Sequence, residues 1–138
     1  MAYSPLGQGF LTGRFKSPSD FKDPYRPDRP DFAQERFEKN LKLVHSIERV
    51  TEDVRKHQGK DITNAQVVLA WVLRQWEGVV PIPGTGSADR VKENMAAARV
   101  TLTDEHDIAI RRAAEAREVA GQYADYMAPL LNKDTPEL

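Results

Sequence analysis

Apolar residues recur at helical spacing twice in the middle of the chain. In the first stretch Phe37, Leu41, Val44, Ile47 and Val54 share one face, with charged residues between them. That spacing predicts a helix over about 32–57, with Gly59 as its stop. In the second, Ala65, Val68, Leu69, Val72 and Trp76 form a wide apolar face. Thr63, followed three residues later by Gln66, is the signature of a capping box, and Gly78 ends the element. Trp71 and Trp76 are read as core on this helix. The run "VVPIP" at 79–83 lies between Gly78 and Gly84 and reads as a short buried strand of the parallel-sheet type. Pro81 and Pro83 weigh against a full ladder, because proline has no N–H to donate. Ser87 is the expected N-cap of a helix from Ala88, and Thr103 of a helix near 104–119. At the start, Ala2-Tyr3-Ser4 reads as the end of a strand, closed by Pro5. Between lies a proline-rich stretch, 7–30, that reads as a long loop. Loops of that length are usually functional or partly disordered.

The order is strand, long loop, two helices, strand, glycine turn, two helices. Strands alternating with helices imply parallel pairing through crossover helices. The expected class is therefore α/β, predominantly helical with two short strands, in a single domain over residues 1–138. Two strands make a poor parallel sheet, since such sheets need several strands and both faces covered. Exposed apolar surface is expected beside 79–83 and on the helix at 63–76. An open strand edge of this kind favours association.

Charge narrows the function. Lys and Arg total 20 against 21 Asp and Glu, a formal net charge of −1. That balance speaks against bulk nucleic-acid binding, which shows a basic excess. The chain has no cysteine, which excludes disulfides and thiolate metal sites. No apolar run approaches the roughly 18 residues of a membrane span, and no secretory signal opens the chain. A soluble, cytoplasmic protein with no membrane partner is expected. His45 and His57 stand among charges on the first helix and read as solvated. His106 falls in the first turn of the last helix, where the positive end of the helix opposes an imidazolium; it reads as a surface residue. Tyr25 lies in the proline-rich loop, and both a ligand contact and simple loop packing remain open for it. No Tyr, Lys and Asp set with interpretable spacing emerges.

Each expected strand runs into a turn that contains glycine. The first turn is Gly7-Gln8-Gly9-Phe10-Leu11-Thr12-Gly13. Its last glycine stands one place too late for the dinucleotide fingerprint, and no helix signal follows. The P-loop pattern is absent. The second turn is "IPGTGSADR". Glycines there allow close backbone approach to a ligand. Ser87 and the open amides of the following helix offer an anion site, and Arg90 in the first turn can add a bidentate contact to phosphate. On the residues alone, a phosphate site and an ordinary turn with a surface arginine both stand. The phosphate site of (β/α)8 barrels lies in the loops after their seventh and eighth strands.

The segments "AYSPLGQGFLTGRF" and "VVPIPGTGSADRVKENMAA" resemble the seventh- and eighth-strand segments of the aldo-keto reductases. Between them, "ITNAQVVLAWVLRQ" resembles that family's T-x-A-Q-x-A-L-A-W helix. The resemblance runs from Ala2 to about Leu102. It implies the C-terminal segment of a (β/α)8 TIM barrel, a partial barrel, and NADP(H)-dependent reduction of aldehydes and ketones to alcohols in the intact family. By resemblance, Tyr3 would stack on the nicotinamide, and Ser4, Leu6 and Gln8 would lie along the diphosphate. Gly84, Thr85, Gly86, Ser87 and Arg90 would surround the 2′-phosphate, and Glu93 and Asn94 would approach the adenine. In the bacterial, fungal and plant branches of the family, which the pattern most resembles, the position of Gly86 often carries Lys or Arg. Glycine there leaves the 2′-phosphate to Arg90 and leaves weaker binding or relaxed use of NAD open. The family's catalytic Asp, Tyr, Lys and His come from the first half of its barrel, so no catalytic residue is assigned in this chain. The expectation is a chain with the cofactor-binding segments and without the tetrad, inactive alone. The partners implied are the nicotinamide cofactor and, in the intact family, a small carbonyl substrate. Two alternatives stay open: a non-catalytic nucleotide-binding or regulatory fragment that docks on a partner, and a remnant with no function of its own.

Overall fold

A computed structural model describes residues 1–21, 34–59 and 61–116 of the chain. The sequence readings on Phe32, on Tyr25 and its prolines, and on the last helix beyond residue 116 lie outside the described residues. The two strands are short. β1 (Ala2–Tyr3) pairs in parallel with β2 (Pro81–Ile82), in the register Ala2 to Pro81 and Tyr3 to Ile82. Just before β2, the Val80 carbonyl accepts the Ala2 N–H at 2.8 Å. The run expected as a strand over 79–83 yields only two ladder residues, for a local reason. Val79 spends its N–H on the Trp76 carbonyl at 3.0 Å, and Pro81 and Pro83 have none to give.

The described residues also form four α-helices: α1 (Gln34–Gln58), α2 (Asn64–Arg74), α3 (Ala88–Ala96) and α4 (Asp104–Glu115). The first two form the crossover from β1 to β2. The capping box of α2 is formed: the Gln66 N–H donates to Thr63 Oγ1 at 3.3 Å, and the Thr63 N–H to Gln66 Oε1 at 3.0 Å. Ser87 and Thr103 stand at the N-caps of α3 and α4 as read from the sequence. Leu43, Ile47, Val50 and Val54 of α1 meet Val67, Val68 and Ala70 of α2 in one apolar cluster, which Leu102 and Ile110 complete from the α4 side. Arg74 at the end of α2 ties down the same corner, donating to the Leu102 carbonyl at 3.0 Å and pairing with Asp104.

The first part of the expected long loop is ordered by its phenylalanines. Two 3-10 turns, Gly7–Thr12 and Pro18–Asp20, replace irregular chain there. Phe10 and Phe21 pack edge-on against Phe37 of α1, with centroids 5.2 and 5.7 Å apart. Phe15 lies 4.7 Å from Phe21, and Val44 closes this second cluster. Burying a phenylalanine is worth about 1.5–3 kcal/mol, with about 0.5–1.5 more for each favourable ring pair. The cluster therefore fixes the segment that leaves β1.

Two readings change. Trp76 is 68% exposed rather than core. Helix α2 ends at Arg74, so the apolar face does not carry on to residue 76, and the indole lies over Gly78 instead. Trp71, inside the helix, does pack against the core. His106 is 9% exposed rather than a surface residue. Its Nδ1 accepts the Thr103 N–H at 3.2 Å, so the ring proton sits on Nε2, 3.0 Å from Asp53 Oδ2 on α1. Nδ1 thus caps the helix start while Nε2 hydrogen-bonds Asp53. That hydrogen bond holds the Asp53 carboxyl below its usual range. His45 and His57 are exposed, as expected. One face of the sheet is also bare, with Tyr3 53%, Val80 55% and Ile82 45% exposed.

Candidate functional site

Parallel pairing brings the exits of both strands to the same end of the sheet. Ligands of α/β sheets commonly bind at that carboxyl end. Here a cleft of about 510 Å³ opens between the two glycine turns. Ser4, Pro5, Leu6, Gln8, Gly9, Thr12 and Arg14 form one wall. Pro83, Gly84 and Thr85, with Arg90, Glu93 and Asn94 of α3, form the other, and Ala65 in the first turn of α2 lies at the base. Small-molecule pockets typically enclose about 300–1,000 Å³.

Of the residues named from the sequence, Ser4, Leu6, Gln8, Gly84, Thr85, Arg90, Glu93 and Asn94 line this cleft. Tyr3, Gly86 and Ser87 stand beside it rather than in its lining. Tyr3 ends β1 on the bare face of the sheet. Gly86 is open, with nothing within 4 Å of an added Cβ. Ser87 is occupied by the turn: its Oγ takes the Arg90 N–H at 3.5 Å, and its own N–H goes to Thr85 Oγ1 at 3.1 Å. Glu93, expected toward an adenine, accepts the Thr63 hydroxyl at 2.7 Å.

The first wall is built from unusual backbone. Ser4 and Gln8 have φ of 47° and 53°, left-handed values for residues with side chains. Such positions cost about 1–3 kcal/mol each and cluster at ligand-binding sites. The turn closes at Gly13, whose φ is 78°; an added Cβ there would stand 3.0 Å from Asn64 Nδ2 and from Glu48 Oε1. Lys16 then anchors the segment to α1, its Nζ 2.9 Å from Glu48 Oε1.

Arg14 was not singled out by the sequence reasoning. Its guanidinium packs 4.3 Å from the Phe15 ring centroid and folds back over the turn, 3.2 Å from where a Cβ on Gly9 would sit. The signal was there in part: a cation follows directly on the last glycine of the turn. The cleft thus has a cationic side chain on each wall and one carboxylate, already hydrogen-bonded. A second groove, of about 580 Å³, lies along α1 beside the end of α4, between Lys39, Lys42, Glu48 and Arg49 on one side and Ala113 on the other, where both signs of charge mix. Among the described residues no His, Asp and Glu cluster could hold a metal ion. No helix among them is long and apolar enough to cross a membrane.

Comparison with known proteins bears on what this cleft is for. The model of the aldo/keto reductase family matches residues 1–115. Aldo-keto reductase str7 of Strobilurus tenacellus is 40% identical over 139 residues, across 100% of this chain and 39% of the relative. Aldo-keto reductase yakc [NADP(+)] of Schizosaccharomyces pombe is 39% identical over 140 residues, across 100% of this chain and 39% of the relative. A putative pyridoxal reductase of Saccharomyces cerevisiae is 36% identical, over 81% of this chain and 34% of the relative. The chain thus spans about two-fifths of the length of the first two relatives. No solved structure matches it.

Proposed function

The chain belongs to the aldo-keto reductase family, and on that premise we propose that its cleft is an NADP(H)-binding surface. The observation that carries this is the meeting of both glycine turns at the carboxyl ends of two parallel strands, with Arg90 in the first turn of α3. The residues present suit such a group. A dinucleotide needs backbone that it can approach closely, and the positive φ values on one wall and the open space at Gly84 and Gly86 on the other provide it. It also needs cations for its phosphates. Arg90 would hold the 2′-phosphate beside the Ser87-capped helix end, and Arg14 would add charge toward the diphosphate along Ser4, Leu6 and Gln8. Glycine at position 86 leaves the discrimination of NADP from NAD to Arg90. The Schizosaccharomyces pombe relative carries NADP(+) in its name, which supports the same choice.

When bound, the nicotinamide supplies hydride. In a protein of the relatives' full length, this surface would serve the reduction of a small aldehyde or ketone to an alcohol. The name of the Saccharomyces cerevisiae relative, a putative pyridoxal reductase, points to an aldehyde. Among the described residues, the lining of the cleft holds no tyrosine, lysine or histidine to move a proton. For this chain alone we propose binding without turnover. Titration of NADPH fluorescence tests this. Saturable binding is expected, weakened about tenfold in Arg90→Ala, with no NADPH oxidised in the presence of a reactive aldehyde. Turnover that depends on Arg90, or no binding at all, contradicts the proposal.

A second reading has its own support in the bare sheet face. Tyr3, Val80 and Ile82 present apolar surface beside a strand edge that is unpaired among the described residues, which suits a partner that adds a parallel strand. A monomeric chain by light scattering, at concentrations where the fold is intact, would count against docking through a second copy.

A further inference from the structure

Asn64 stands outside the lining of the cleft, yet it holds the wall that faces α3. The glycine turn that forms this wall bonds to itself. The Gly9 and Leu11 N–H groups both donate to the Leu6 carbonyl, the Gly13 N–H to the Phe10 carbonyl, and the Thr12 hydroxyl to the Gly9 carbonyl. Those bonds give the turn its shape but do not place it on the helices. Phe10 pins its middle in the aromatic cluster. At its exit, Asn64 Nδ2 donates to the Thr12 carbonyl at 3.3 Å. Gly13 is seated against the same amide: an added Cβ would stand 3.0 Å from Asn64 Nδ2 and from Glu48 Oε1. Lys16 also reaches Glu48, but that pair is largely exposed, and exposed ion pairs are worth little. The placing of the exit therefore falls to Asn64.

The chemistry of α2 itself does not ask for an asparagine there. Thr63 and Gln66 already close the capping box. Asn64 is the first helical residue, a position whose N–H has no partner within the helix and where proline is favoured. Thr63, with φ −102° and ψ 161°, already has the extended backbone that a following proline requires. The Asn64 amide serves the turn rather than its own helix.

We propose that Asn64 is a positioning residue for the cleft: its amide fixes the exit of the first glycine turn on α2, and so sets where the left-handed backbone at Gln8 and Gly9 faces α3. The binding consequence rests on the NADP(H) reading of the cleft, but the tie itself is a property of the free chain. Asn64→Pro and Asn64→Ala, made in the full chain, separate the tie from the helix. Proline suits the first helical position and alanine is the best helix former, while neither side chain can donate. Both variants melt no lower than the parent chain. Without nucleotide, the amides of Gly9, Leu11 and Gly13 exchange faster with solvent in both, while the Val91 amide of α3 exchanges as in the parent. The dissociation constant for NADPH rises about threefold to fivefold in both. Lys16→Met, which removes only the exposed ion pair, stays within about twofold of the parent. Lower melting in both variants would make Asn64 a residue of the helix rather than of the cleft, and overturns the proposal. So does a loss of binding in Lys16→Met as large as in Asn64→Ala. If the parent chain takes up no NADPH, the nucleotide reading fails by itself and exchange decides the tie. Faster exchange confined to the turn in both variants upholds it, and unchanged rates overturn it.

Discussion

The helical layer and the cleft side of this molecule are built to different standards. Between α1, α2 and α4 the apolar faces interlock, and Ile47, Val54 and Val67 are almost completely buried. On the other side, among the described residues, the sheet has two strands, one face is bare, and α3 has no buried residue. The helices hold the chain together, while the cleft is framed by turns and a few hydrogen bonds. Stability and binding capacity are separated in this way in many proteins, because the segments that meet a ligand come from the low-stability end of the structure.

The sharpest way to break that contrast is to remove apolar side chains from each side. Phe37→Ala empties the centre of the aromatic cluster and is expected to cost about 3–5 kcal/mol. Ile82→Ala, on the bare face, is expected to stay within about 0.5 kcal/mol. Urea unfolding of both measures the difference, and similar losses would mean that the sheet face is covered in solution.

A smaller effect concerns acid. Asp53 accepts from His106, and that bond holds its carboxyl below the usual value. A carboxyl lowered in the fold stabilises it above the ordinary aspartate range, and this contribution is lost as the pH falls through the folded value. Asp53→Asn should therefore flatten the acid side of the stability curve between about pH 5 and pH 2, leaving its alkaline side unchanged. Asp107, lowered by its hydrogen bond from Gln75 and by Arg111, adds a loss of the same sign that Asp53→Asn leaves in place. An unaltered acid limb would show that the α1 to α4 link does not persist in solution.

The smallest effect is expected at Trp76. Trp76→Ser should change stability by no more than about 0.5 kcal/mol, and should reduce self-association in sedimentation if the bare apolar surface is what makes the chain adhere. A large loss of stability would return the indole to the core.

What the sequence made legible follows from the range of each interaction. The caps at Thr63, Ser87 and Thr103 use partners three residues away, so the pattern reveals them. The two glycine turns were legible for the same reason, and parallel pairing was enough to bring them together. His106 was misread because Asp53 lies 53 positions earlier, and nothing local marks that pairing. The bond from Thr63 to Glu93 spans 30 positions and was hidden likewise. Trp76 continued a helical period that the backbone had already left. The order in the early turns came from Phe10, Phe15 and Phe21 finding Phe37 across the chain, which no window of sequence contains.

The central claim is that the two turns form one nucleotide site. Backbone amide shifts recorded while NADPH is added to the labelled chain test it most directly. The account predicts that amides of 7–13 and of 84–90 move together along one saturation curve, while those beside the α1 groove stay still. Shifts confined to one turn, or strongest along α1, would contradict it.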